Sequence, residues 1–145
     1  LVATCDLAIA STTAKFATPG VNIGLFCSTP MVAVSRKLPR KKMMEMLLMG
    51  DLVSAETALE FGLINRVVAY EKLEETVSNY ANKIKEKSPL VLKIGKEAFY
   101  NQIDMPLAEA YKYTAEVMTQ NMLAQDANEG INAFIEKRQP TWAGK

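Results

Sequence analysis

The apolar positions of this chain change their period once. Up to about residue 69 they come in short, near-continuous runs broken by Gly and Pro, and from residue 70 they recur every three or four places. CDLAIAS (5–11) is a run of the first kind and predicts a strand covered on both faces. TAKFATPG (13–20) predicts a second extended piece ended by Pro-Gly, and GLFCSTP (24–30) carries loop punctuation. STPMVAVSRKL (28–38) predicts a helix with Pro30 tolerated in its first turn. RKKMMEMLLMG (40–50) predicts a compact helix stopped by Gly50. In DLVSAETALEFGLI (51–64), Ser54 is the candidate N-cap, Glu56 lies in the first turn and Gly62 marks the end. NRVVA (65–69) predicts a short strand.

Beyond residue 70 the pattern is helical. Leu73, Val77, Tyr80, Ala81 and Ile84 share one stripe of a helix. Pro89 opens a second helix after Ser88, and Pro106 opens a third. Asp126 and Glu129 have the spacing of a capping box for a fourth, whose apolar face is Ile131, Phe134 and Ile135 and which Pro140 ends. The chain thus divides into an α/β piece, 1–69, and a helical region, 70–145. Two or three strands cannot bury both faces of a sheet, so the missing neighbours are expected upstream or in other copies. The start at Leu1, within an apolar run, reads as a cut from a longer protein.

Composition narrows the chemistry. The chain has 145 residues, 49% of them hydrophobic and 23% charged, enough for one core. Its net charge of +1 gives no argument for nucleic acid or an anionic membrane as partner, and no apolar stretch is long enough for a membrane span. Absence of histidine excludes Ser-His-Asp and Cys-His catalytic pairs within this chain, and any histidine-containing zinc site. The two cysteines, Cys5 and Cys27, are expected as free thiols.

Four groups could carry chemistry. Met43, Met44, Met46 and Met49 could line a pocket for a flexible acyl chain, or fill a core or subunit interface. Arg40, Lys41 and Lys42 could meet phosphates, or be a solvated helix start. Cys27, beside Ser28 and Thr29, has no base to activate it. Phe134 and Lys137, three positions apart, could hold a nucleotide base and phosphate, or be a core ring and a surface cation.

LVATCDLAIAS (1–11), AKFATPGVNIG (14–24), EMLLMGDLVSAETALEFGLINRVV (45–68) and EGINAFIEKRQPTW (129–142) together resemble the crotonase superfamily, the enoyl-CoA hydratases and isomerases. The resemblance covers the whole chain. It implies an α/β fold, a ClpP/crotonase-like spiral of ββα units, of which this is the second half, with a helical C-terminal region that supports trimers or hexamers. It implies an acyl-CoA thioester as ligand, with coenzyme A part of the substrate and no separate cofactor, and a place in mitochondrial fatty acid metabolism. Family hydratases use two glutamates to position water and move protons. The resemblance puts the first, with both oxyanion N–H groups, upstream of Leu1. It puts the second directly after the Pro of Phe-x-x-Pro, here Pro19, where this chain has Gly20. Gly20 can neither accept a proton nor hold water, and it implies a turn with space left beside it. Ser28 stands where many hydratases have a Gly lining the water site, and Asp6 matches a structural position. Phe134 and Lys137 match positions that approach the adenine and phosphate of CoA across a subunit boundary. Three readings follow: an acyl-CoA binder with weak or no hydratase activity, an active hydratase or isomerase drawing its acid from the other half, and a non-enzymatic trimeric scaffold.

Overall fold

A computed structural model describes residues 1–145. They divide into two compact units, Leu1–Tyr80 and Ala81–Lys145.

In the first unit, β1 (Ile9–Ser11) pairs in parallel with β4 (Arg66–Val68), Ala10 opposite Val67. The ladder is extended at both ends, by the Asn65 N–H to the Ala8 carbonyl (2.7 Å) and the Thr12 N–H to the Val68 carbonyl (2.9 Å). The Asn65 side chain also accepts from the Ala8 N–H (2.7 Å), so one residue sets the register at this end. β2 (Lys15–Phe16) runs antiparallel to β3 (Val53–Ser54). The run at 5–11 is a strand only over its last three residues. Ahead of that run, Val2–Thr4 forms a 3-10 turn, closed by the Thr4 and Cys5 N–H groups on the Leu1 and Val2 carbonyls.

Three helices complete this unit: α1 (Ser28–Ser35), α2 (Arg40–Met49) and α3 (Ala55–Phe61). Ser54 Oγ accepts from the Thr57 N–H and caps α3, and Gly62 ends it at φ +84°. Ala55 and Ala58 have no exposed surface. With no side chain beyond Cβ, they let α3 lie close on Ala10 and Ile64. A second cluster unites Leu38, Met43, Met46 and Leu47, and Phe16, Val53 and Leu63 pack against both. Met43 and Met46 are therefore core residues, whereas Met44 and Met49 are exposed. α4 (Leu73–Lys85) follows β4 after a 3-10 turn, Tyr70–Lys72, and the boundary between the units falls within it.

The second unit contains α5 (Pro89–Gln102), α6 (Leu107–Met122) and α7 (Gln125–Glu136). Each places one alanine, Ala98, Ala110 or Ala133, at a buried position, which brings the helix axes close. Ser88 caps α5 through its Oγ, as its place before Pro89 predicts. The expected capping box of α7 is absent. Ala124 is the N-cap, with no side-chain bond, and both carboxylates serve the segment after the helix. Asp126, 1% exposed, accepts from Ser88 Oγ (2.6 Å) and from the Ala143 and Gly144 N–H groups (2.7 and 3.1 Å). These bonds, the one from Ser88 first, hold its carboxyl below the ordinary carboxylate range. Glu129 accepts from the Thr141 N–H (2.8 Å) and from both Nη atoms of Arg138 (2.6 and 2.9 Å). α7 stops at Glu136, before Pro140, because Lys137 turns the chain with left-handed dihedrals, φ +55° and ψ +38°.

Candidate functional site

Phe16 and Thr18 anchor the stretch that carries Pro19 and Gly20. Phe16 is packed between the two core clusters of the first unit. Thr18 is buried and donates Oγ1–H to the Met46 carbonyl (2.8 Å) near the end of α2. Pro19 opens a 3-10 turn, Pro19–Ile23, and Asn22 ties its far side to the Gly50 carbonyl (3.2 Å). Gly50, at φ +67°, needs its missing side chain twice. The left-handed dihedral disfavours any other residue, and a Cβ would lie 2.8 Å from Val21 Cγ2 and 2.9 Å from Asn22 Oδ1. Thr18, Asn22 and Gly50 thus clamp the turn onto α2. Nothing in their residue types marks this, because the contacts join positions 28 apart in the chain.

At Gly20 there is no spare room. An added Cβ would lie 2.7 Å from the Leu25 carbonyl oxygen and 2.9 Å from Cys27 Sγ, closer than such atoms approach. The expectation of space beside the turn is corrected. The 25–27 backbone folds back over Gly20, whose carbonyl accepts from the Leu25 N–H (2.9 Å) while its N–H donates to Cys27 Sγ (3.3 Å). Cys27 is a free thiol held by this bond and leads directly into α1. Ser28 is the first residue of α1, exposed, with its hydroxyl 3.4 Å from the Phe26 carbonyl.

A cavity of about 540 Å³ opens beside this turn, lined by Val2, Phe16, Thr18, Pro30, Ala33 and Met46 among others. Its walls are mostly apolar side chains, with Lys15 the one charged residue among them, so the apolar part suits an alkyl chain. Thr18 adjoins Pro19 in the chain, and Thr29, another lining residue, adjoins Ser28. Met46 contributes to this cavity as well as to the core. Pro19 and Ser28 are thus chain neighbours of lining residues, while none of Pro19, Gly20 and Ser28 lines the cavity itself.

Phe134 and Lys137 lie in the second unit. Phe134 is 85% exposed, a large apolar surface left in water. Lys137 is not on the helical face with it, since α7 has ended and its left-handed turn redirects the chain. The turn is held by the Lys137 N–H to the Phe134 carbonyl (3.3 Å) and the Arg138 N–H to the Ala133 carbonyl (3.0 Å). Arg138 then folds back onto Glu129, whose carboxyl is lowered to about 2, first by the guanidinium and then by the Thr141 N–H. Glu129 and Arg138 thus position Lys137. The sequence pattern had suggested a cap for Glu129 and no role for Arg138, because nothing local announces that the chain reverses between them.

The whole chain, residues 1–145, matches the family model described as Enoyl-CoA hydratase/isomerase. The chain belongs to that family. Its α/β unit and following helices have the crotonase fold, as solved family members show. The enoyl-CoA hydratase of Mycobacterium smegmatis superposes with a TM-score of 0.95 at 46% identity, over 97% of this chain and 55% of that one. The human enoyl Coenzyme A hydratase domain-containing protein 3 gives 0.94 at 48% identity, over 97% of this chain and 56% of that one. The rat protein named enoyl-CoA hydratase domain-containing protein 3, mitochondrial, is 50% identical over 143 residues, 99% of this chain and 48% of its own length. This enoyl-CoA hydratase/isomerase chain spans about half the length of the curated relatives it matches.

Proposed function

We propose that the protein containing this chain binds fatty acyl-CoA thioesters in mitochondrial lipid metabolism and hydrates enoyl-CoA weakly or not at all. The observation that carries the reading is Gly20, at the position where the resemblance puts the second glutamate. A residue without a side chain cannot position water or take up a proton, and losing one such group costs about 10²–10⁴ in rate. The packing of Leu25 and Cys27 on Gly20 supports the same reading, since the loop of this chain is built around the missing side chain. Acyl binding needs no such group. The apolar cavity beside Thr18 and Met46 can take an alkyl chain, exposed Phe134 can stack on a base, and Lys137 can meet a phosphate as a point charge. The mitochondrial setting follows the names of the relatives, assembly into trimers or hexamers follows the family resemblance, and both belong to this proposal.

The test uses the full-length protein. Titration with acyl-CoA is expected to show binding, and crotonyl-CoA hydration to stay near the buffer rate. Lys137→Glu is expected to weaken CoA binding by about tenfold, the scale of one charge-assisted hydrogen bond, without lowering the melting temperature. No binding at millimolar acyl-CoA would end the proposal. A second reading, an active hydratase or isomerase drawing its acid from outside these residues, is favoured by the kinship with the M. smegmatis hydratase. Turnover above buffer that is abolished by removing such a carboxylate would decide for it. The third reading, a trimeric scaffold, draws on the stripe through Leu73, Val77 and Ile84, of which Val77 and Ile84 are exposed, and on the Met-rich helix α2 with exposed Met44 and Met49. It requires assembly without any effect of CoA, and a monomer in sedimentation would remove it.

A further inference from the structure

We propose that the junction of α1 and α2 is a docking surface for an anionic phospholipid bilayer. Arg36, Lys37, Arg40, Lys41 and Lys42 are five cations within seven residues, all exposed, and no acid follows until Glu45. The chain's net charge of +1 conceals this local excess. Three of the five stand in the first turn of α2, at the positive end of its dipole. That turn has no acidic residue, and Pro39 at the N-cap supplies no side-chain bond. Helix stability would call for the opposite charge there, so something other than the fold of α2 accounts for these residues.

Three of the cations, Arg36, Lys37 and Lys42, have local partners. Lys42 reaches Glu45 (3.4 Å) and stands 4.6 Å from the Phe61 ring centre, and Arg36 donates to the Val32 carbonyl (2.8 Å). Arg40 and Lys41 make no side-chain hydrogen bond or ion pair, and their charges face solvent.

The apolar neighbours select the kind of anion. α2 turns Met43, Met46 and Leu47 inward, while Lys41, Met44 and Leu48, three and four positions apart, line its outward side. Met44 is 46% exposed and Leu48 60%, and Val32, 51% exposed, lies one turn before Arg36 on α1. A soluble polyanion would use the cations and leave these side chains in water. A bilayer surface uses both, with lipid phosphates on Arg40 and Lys41 and the acyl boundary for Met44 and Leu48. No helix is long and apolar enough to cross a membrane, so the association is peripheral.

The experiment is co-sedimentation of the full-length protein with vesicles. One set is phosphatidylcholine and phosphatidylglycerol in equal parts, the other pure phosphatidylcholine. Binding is expected to the first set only and to fall as salt is raised. Arg40→Gln/Lys41→Gln is expected to weaken it about 25-fold, at about fivefold per cation removed, with an unchanged melting temperature. Met44→Ser/Leu48→Ser is expected to weaken it while leaving its salt dependence intact. Equal binding to both vesicle sets, no binding to either, or an unchanged affinity in the Arg40/Lys41 variant would overturn the proposal. So would binding to soluble polyglutamate with none to anionic vesicles, which would assign the patch to an acidic protein.

Discussion

Gly20 is the residue its surroundings require, whereas Lys137 departs from what its backbone favours. Gly20 is enclosed by the Leu25 carbonyl and Cys27 Sγ, so a glutamate there must displace backbone. Gly20→Glu is therefore expected to lower stability without restoring hydration, read by melting temperature and crotonyl-CoA turnover of the full-length protein. Gly20→Ala already places a Cβ 2.7 Å from a carbonyl oxygen and is expected to destabilise by about 1–3 kcal/mol, as overpacking does. Lys137 is the converse. It is the one non-glycine residue with positive φ, and a side chain in that conformation costs about 1–2 kcal/mol. Lys137→Gly is expected to raise stability by about 1 kcal/mol while weakening CoA binding, a trade that calorimetry and ligand titration read separately. Stability gained with no change in binding would remove Lys137 from the site.

At the scale of elements, local rules were legible wherever a bond closes within one turn. Ser54 before α3, Gly50 and Gly62 after α2 and α3, and Ser88 before Pro89 act as their positions predict. Ser54→Ala is expected to cost about 1 kcal/mol in chemical denaturation. Leu47→Ala, in the second core cluster, is expected to cost about 2–5 kcal/mol. The rule failed at α7, where Asp126 and Glu129 have capping-box spacing but bind residues 138–144 instead. Their partners lie on a segment that folds back, and that return depends on Lys137 adopting a conformation its type disfavours. The run at 5–11 failed for a similar reason, since only residues 9–11 find a partner strand. A pH dependence follows from Glu129. Its folded-state pKa, about 2, is depressed from 4.5, so its pair with Arg138 stabilises fully above pH 4.5 and is lost as the pH falls toward 2. Melting curves below pH 4.5 are expected to fall more steeply for the wild type than for Glu129→Gln, which has no such proton to take up.

For the whole molecule, the order of periods read from the sequence, short runs first and helical stripes after, matches the order of elements found, and motif content pointed to the family that the comparisons establish. The sequence did not reveal which contacts close the turn at 19–24. Thr18 to Met46 and Asn22 to Gly50 join distant positions through a backbone carbonyl, and such bonds leave no mark in residue type at the accepting end. It also led to the expectation of room beside Gly20 that the folded chain has filled. Under the proposed function, ligand capture and proton transfer have come apart in the full-length protein. One measurement on the full-length protein tests it most directly: acyl-CoA affinity by calorimetry alongside crotonyl-CoA hydration on the same preparation. Saturable binding with turnover at the buffer rate is the predicted result. Rapid hydration of crotonyl-CoA by that preparation would contradict it.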